Sequence, residues 1–380
     1  MDVAYAYEYR ADDIDVRSGH PFFMLRELEK RASVQRIFPL SHAAKYAFAP
    51  KYIYYQWKGQ AYMPDREPIL LKSFAQQVKG QLSRISADCI FAPNSCVASH
   101  LNIDLPIVFC TDATFANMLD FYGEFSNCPI SYQRMGHAQE HRALQSCAAA
   151  IYPSVWAAQS AIENYGADPD KIHILPFGAN VKVPPLEAVA RAIEQRRKGP
   201  LRVLFVGKEY WRKGADIVLA ACEIAVHNGV QLQLDLVGLE DAGVTLPAYA
   251  IDHGNLTKRD PAQRARLEEL FMGASLLFVP SRAEAYGIVF CEAACHGVPS
   301  LSSSVGGIPS VVQSGVSGIL LPHGSSPEAF ADVLQGLAAD SAMLESLSWS
   351  ARQHYDRHLS WDVFGDGLMD ILRHVSGKSI

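Results

Sequence analysis

The chain has 380 residues, 49% of them apolar and 19% charged, enough to bury a large core and, by length, to form two domains. Its net charge of −6 excludes a protein held to nucleic acid or to an anionic membrane by bulk charge, and leaves only local basic patches for such a role. Eight cysteines (Cys89, Cys96, Cys110, Cys128, Cys147, Cys222, Cys291, Cys295) lie scattered in mostly apolar context without a C-x-x-C pair, which reads as buried free thiols in a reducing cytoplasm.

In chain order, MDVAYAYEYRADD lacks the basic segment and apolar run of a signal peptide, and no later stretch reaches about 18 apolar residues. A cytoplasmic protein, at most peripheral at the inner face of a membrane, is expected. Short apolar runs then alternate with helical patterns: VAYAY, SVQRIFPL, DCIFAPN, PIVFCTD, AAAIYPS and KIHILPF across residues 1–182. Runs apolar on both faces, each followed by a helix such as HPFFMLRELEKR, are the mark of parallel strands in a doubly wound sheet. Prolines and a polar helical stretch interrupt the pattern, predicting a linker over 183–200. LRVLFVG, QLQLDLVG, LLFVPS and SLSSS resume it over 201–360, and SWDVFGDGLMDILRHV predicts an amphipathic helix over 361–380. The fold class is therefore α/β, two Rossmann-like doubly wound parallel-sheet domains facing a cleft, with ligands beyond the carboxyl ends of the strands.

Two strand ends carry chemistry. In VGKEYWRKGAD, Lys208, Arg212 and Lys213 sit between a strand and a helix start, where cations oppose the helix dipole unless an anion lies between them. A diphosphate resolves that conflict; solvated surface charges are the plainer reading. In SRAEAYGIVFCEAACHG, a helix begins after Gly287, so the amides of Gly287, Ile288 and Val289 are free to meet an anion. Glu284 precedes that helix and can accept from sugar hydroxyls. Glu292, eight positions on, can hold the two hydroxyls of a ribose, although an N-terminal Glu and a mid-helix Glu also arise without function.

The stretch PSRAEAYGIVFCEAACHGVPSLSSSVGGIPSVVQSGVSGILLP closely resembles the E-x7-E region of bacterial retaining glycosyltransferases of family four, which have the GT-B fold. GKEYWRKG resembles the family's phosphate segment, with Lys208 where arginine is commoner, and SGHPFFMLRELEKR, TDATFANMLDFY, SVWAAQSAIENYGADPDKIHILPFGAN and LSWDVFGDGL extend the likeness over nearly the whole chain. The resemblance implies that a hexosyl-type group moves from a nucleotide-diphosphate sugar to an acceptor hydroxyl on a glycan, lipid-linked or small molecule, with configuration retained and without metal or other cofactor. It implies catalytic roles for Glu284, Lys213 and Lys208, and donor contacts from Gly19, Arg212, Tyr286, Gly287, Ile288, Val289 and Glu292. Gly254 and Asn255, in HGNLTKRD, fall where the family makes backbone contacts to the base. At the end of PIVFCTD, Thr111 and Asp112 stand where the family often has a histidine facing the sugar, and with His20 they are candidate sugar or acceptor contacts. The final helix is expected to cross back to the N-terminal domain. The alternatives are a nucleotide-sugar epimerase or phosphorylase on the same fold, or a non-catalytic nucleotide-sugar-binding protein.

Three other patterns compete. His137-Ala-Gln-Glu140-His141 fits a zinc-helix spacing but lacks an evident third ligand, and reads better as a cleft-lining or surface helix. Asp13-Ile14-Asp15 has the D-x-D form of metal-diphosphate sites in the other major glycosyltransferase fold, yet an exposed acidic loop explains it. Residues 45–64, KYAFAPKYIYYQWKGQAYMP, hold three lysines, seven aromatics and no acid. They suit a membrane interface, a sugar-stacking acceptor groove, or an insertion that packs its aromatics inward.

Overall fold

A computed structural model describes residues 1–239, 243 and 245–378. The chain divides into two compact units: Met1–Pro176 together with the helix Trp361–Val375, and Phe177–Ser360.

The first unit is built on a parallel six-stranded sheet: β1 (Asp2–Ala6), β2 (Ser33–Ile37), β3 (Cys89–Ala92), β4 (Ile107–Cys110), β5 (Ala149–Tyr152) and β6 (Ile172–Ile174), in the order β2-β1-β3-β4-β5-β6. The runs DVAYA, CIFA, IVFC and AAIY are buried almost without break because helices cover both faces. The helix Trp361–Val375 packs against the helix His20–Arg31. Trp361 stacks on Phe23 at 5.5 Å between ring centroids, and Arg31 Nε donates to Asp366 at 2.8 Å. Gly365 leaves room for the Arg31 guanidinium, which a Cβ there would meet at 2.7 Å.

The second unit carries β7 (Leu201–Val206), β8 (Leu232–Val237), β9 (Ala250–Asp252), β10 (Leu276–Phe278), β11 (Ser300–Ser304) and β12 (Gly318–Pro322), all parallel, in the order β12-β11-β10-β7-β8-β9. Counted within the unit this is the 3-2-1-4-5-6 order of dinucleotide folds, and its direction of winding reverses between β7 and β10. The short edge strands β9 and β12 extend the four strands expected from sequence.

Residues 183–200 are not a bare linker. They contain the helix Leu186–Arg196, whose Val189, Ala192 and Ile193 are buried in the second unit. Val189 and Ile193 fill the space that a side chain at Gly297 would need, and Arg196 donates to the carbonyls of Phe271, Met272, His296 and Gly297. The polar residues that suggested a linker form the outer face of this amphipathic helix. All eight cysteines are buried and unbridged. Among the described residues no helix is long and apolar enough to cross a membrane.

Candidate functional site

Most of the sequence-predicted residues of the second unit follow β7 and β10, the two strands that flank the winding reversal, while Gly254 and Asn255 follow the edge strand β9. After β7, Gly207 leads into a short helix, Tyr210–Lys213, and Gly214 turns the chain with φ +76°. A Cβ at Gly214 would lie 2.4 Å from the Pro280 carbonyl oxygen, so only glycine lets this loop press against the end of β10. Arg282 clamps the same junction: it donates to both carboxylate oxygens of Asp216 at 2.8 and 2.7 Å, and its guanidinium lies 5.1 Å from the centre of the Trp211 ring.

This packing puts Lys213 on Glu284. The lysine Nζ donates to Glu284 Oε2, and Arg212 Nη1 stands 3.7 Å from the same oxygen. Arg212 is otherwise engaged with Glu209, at 2.5 Å, and with the Ala283 carbonyl, at 2.9 Å, so in this state it braces the loop. Lys208 is exposed, with no acidic partner among the described residues. The Gly307 amide donates to the Glu284 carbonyl at 3.0 Å and fixes its backbone.

Gly287, with φ +89°, opens the helix Ile288–Cys295, and the amides of Ile288 and Val289 fall in its first turn, where no intrahelical acceptor exists. Glu292 is buried and accepts from Lys258 Nζ. Lys258 belongs to the loop that follows β9, where Gly254, with φ +65°, donates its amide to Asp252 and accepts from the Gly238 amide, both at 2.8 Å; Asn255 is exposed. Each glutamate is therefore matched by one lysine from a different loop.

Tyr286 departs from its expected role as a donor contact. Its side chain is buried, the hydroxyl donates to the Phe177 carbonyl at 2.8 Å, and burial holds the phenol well above its ordinary pKa. The apolar ring turns into the core because Phe177 and Cys291 offer it a packed site, which takes its side chain away from any ligand.

In the first unit, winding reverses between β1 and β3, and polar groups gather there. Asn94, after β3, donates to the buried Glu8 after β1. Burial raises the Glu8 carboxyl above the usual carboxylate range, against the pull of Arg17. Arg17 also faces Asp112 electrostatically. Arg17, Ser18 and Gly19 are consecutively left-handed, at φ 46°, 54° and 87°, and lead into the helix that His20 begins. Strain of about 1–3 kcal/mol per non-glycine residue of this kind concentrates at ligand sites. Thr111 is buried and its hydroxyl donates to Ala113 at 3.4 Å; Asp112 is half-buried. The sequence reading missed Glu8, Asn94, Arg17, Lys258 and Arg282. An acid directly after the run VAYAY, and a lysine in the loop already singled out for Gly254, were the available signals.

The competing patterns do not assemble. His137 Nδ1 lies 3.0 Å from the Tyr165 hydroxyl, Glu140 is buried and accepts from Ser95 at 2.9 Å, and His141 is exposed. Asp13 accepts from the Asp15 amide at 3.1 Å in a local turn. Among the described residues no group of three His, Cys, Asp or Glu could hold a metal ion.

Residues 187–354 match the family described as Glycosyl transferases group 1. D-inositol 3-phosphate glycosyltransferase of Xylanimonas cellulosilytica is 32% identical over 237 residues, 58% of this chain and 55% of that protein. The chain thus spans about half the length of the curated relatives it matches. Among solved structures, sucrose-phosphate synthase from Thermosynechococcus elongatus superposes with a TM-score of 0.72 at 17% identity, with 100% of both chains covered. HepE from Anabaena, crystallised with UDP, superposes with a TM-score of 0.68 at 16% identity, covering 98% of this chain and 100% of that one. The chain has the GT-B fold, and the part of it that carries both glutamates and their lysines is similar to group 1 glycosyl transferases.

Proposed function

We propose that this protein is a retaining glycosyltransferase that moves a hexosyl-type group from a nucleotide-diphosphate sugar to an acceptor hydroxyl. The observation that carries the reading is the pairing of Lys213 with Glu284 and of Lys258 with Glu292 at the winding reversal of the second sheet. Cations and carboxylates held ready there suit a ligand that is anionic at its centre and rich in hydroxyls at both ends.

In this mechanism the bond between the anomeric carbon and the donor phosphate oxygen breaks, and the carbon bonds the acceptor oxygen on the same face. The acceptor proton passes to the departing phosphate. Negative charge grows on the diphosphate as it leaves, so Lys208, Lys213 and the amides of Gly287, Ile288 and Val289 hold the transition state more tightly than the ground state. Glu284 orients the sugar and steadies developing positive charge, while Glu292 holds the ribose. The same cations and amides neutralise the leaving group in place of a divalent ion.

The names of the relatives make a phosphorylated polyol such as inositol 3-phosphate the first acceptor to test, and HepE, crystallised with UDP-glucose, makes UDP-sugars the first donors. A thermal-shift screen of nucleotide sugars, followed by transfer assays in EDTA with the product's anomeric configuration read by NMR, tests the proposal. Stabilisation by one donor class and EDTA-resistant transfer with retention support it. Inversion, or a requirement for added metal, overturns the mechanism.

A further inference from the structure

Residues 43–58 form a short 3-10 turn, Ala43–Phe48, and the helix Ala49–Trp57, and neither contains a buried residue. The aromatics of this insertion do not pack inward as a set. Tyr46 is 82% exposed, Ile53 65% and Trp57 81%, and Tyr52 and Tyr54 are exposed beside them. The helix does have an inward face: Lys51 reaches Glu67 at 2.5 Å, and Tyr55 packs on Tyr62. Ile53 and Trp57, one turn apart, lie on the side of the helix away from that face, while Tyr54 and Lys58 border it and are exposed at the end of the helix.

Charge decides what such a face meets. The acids that follow the segment do not meet its exposed side chains: Glu67 binds Lys51 and Tyr62 on the inward side, and Asp65 accepts from Tyr132 at 3.0 Å. Lys45 and Lys58 are exposed and have no acidic partner among the described residues, and Lys58 lies 4.8 Å from the centre of the Tyr54 ring. Exposed Trp, Tyr and Ile beside unpaired lysines is the composition of a helix that lies in a lipid headgroup layer. A second copy of this chain is a poorer occupant, because a two-fold contact would bring both sets of lysines together with no acid between them.

We propose that the exposed side chains of this segment, Tyr46, Ile53, Tyr54 and Trp57 with Lys45 and Lys58, dock the protein onto an anionic lipid surface. This goes beyond the glycosyl-transfer reading and does not depend on it. The helix lies along the membrane plane, the apolar side chains enter the acyl boundary, and the lysines meet lipid phosphates.

The test is flotation of the 380-residue chain with phosphatidylcholine vesicles, with and without phosphatidylglycerol. Binding is expected only with phosphatidylglycerol, weakening by about fivefold for each of Lys45→Gln and Lys58→Gln. Ile53→Ser with Trp57→Ser should reduce it by about tenfold or more. A blue shift of tryptophan emission on binding, absent in Trp57→Phe, would place that side chain in the lipid. Failure to float with either vesicle, equal binding to both, or a solution dimer abolished by the Ile53→Ser, Trp57→Ser variant would each overturn the proposal. Nucleotide-sugar binding in these variants, read by thermal shift, reports on the fold and on the glycosyl-transfer reading separately.

Discussion

Lys213 and Glu284 form the contact on which the proposed chemistry turns, and their removal is predicted to act on turnover. Lys213→Ala or Glu284→Ala should lower kcat by about 10²-fold, the scale of one lost transition-state partner. Glu292→Ala should raise the donor KM and leave kcat nearly unchanged, because ribose contacts change little as the anomeric bond breaks. Steady-state kinetics separate the two patterns, and loss of kcat alone at Glu292 would contradict its role. Lys258 adds a stability prediction. Lys258→Met leaves the buried Glu292 carboxylate without its counter-charge and should cost about 2 kcal/mol in urea unfolding, most of it recovered when Glu292→Gln is added. The residues that sequence located and those it missed differ in one physical respect. Glu284, Lys213 and Glu292 stand in local contexts, a strand end or a helix start, that announce their chemistry. Lys258, Arg282 and Glu8 matter through partners 34, 66 and 86 residues away, and nothing local in the sequence specifies such a pairing.

Single elements hold these side chains in register. Gly214 is left-handed and pressed against β10, so Gly214→Ala adds a steric clash to the roughly 1–2 kcal/mol cost of a left-handed residue. The loop must then move, carrying Lys213 away from Glu284, and turnover should fall by about tenfold or more. Gly229→Ala, also left-handed at φ +93° but with open space around it, should cost stability alone. His296, at the end of the helix Ile288–Cys295, is buried against Phe271 and donates from Nδ1 to the Glu292 carbonyl at 2.7 Å. Burial pushes its pKa down from 6.5 to about 4. Between those values the unfolded chain binds a proton that the folded one refuses, so this contribution to stability is complete above about pH 6.5 and declines as pH falls towards 4. The decline is at most about 3 kcal/mol, and His296→Gln should flatten that part of the curve of unfolding free energy against pH. Of the strands, β9 and β12 escaped the sequence reading: β9 is a three-residue edge strand with partly exposed side chains, and β12 is an edge whose face is only half-buried.

Taken whole, the two-sheet α/β architecture was legible because eight of its strands, all but β2, β6, β9 and β12, are runs buried over most of their length, a pattern that helices without such a sheet do not leave. The limit between the units was less legible, since prolines and surface charges around residues 183–200 look alike in a linker and in the outer face of a helix. The path of the chain adds a consequence of its own. The helix Trp361–Val375, which covers His20–Arg31, leaves the ribosome only after the entire second unit, so the first unit waits unfinished through its neighbour's synthesis. A stop codon at Trp361 should therefore strip Phe23 and Arg31 of their partners on that helix and lower the melting transition of the first unit while the second keeps its own. Ribosome-bound intermediates arrested before that helix would show the same order, with protease sensitivity confined to the part of the protein that was translated first.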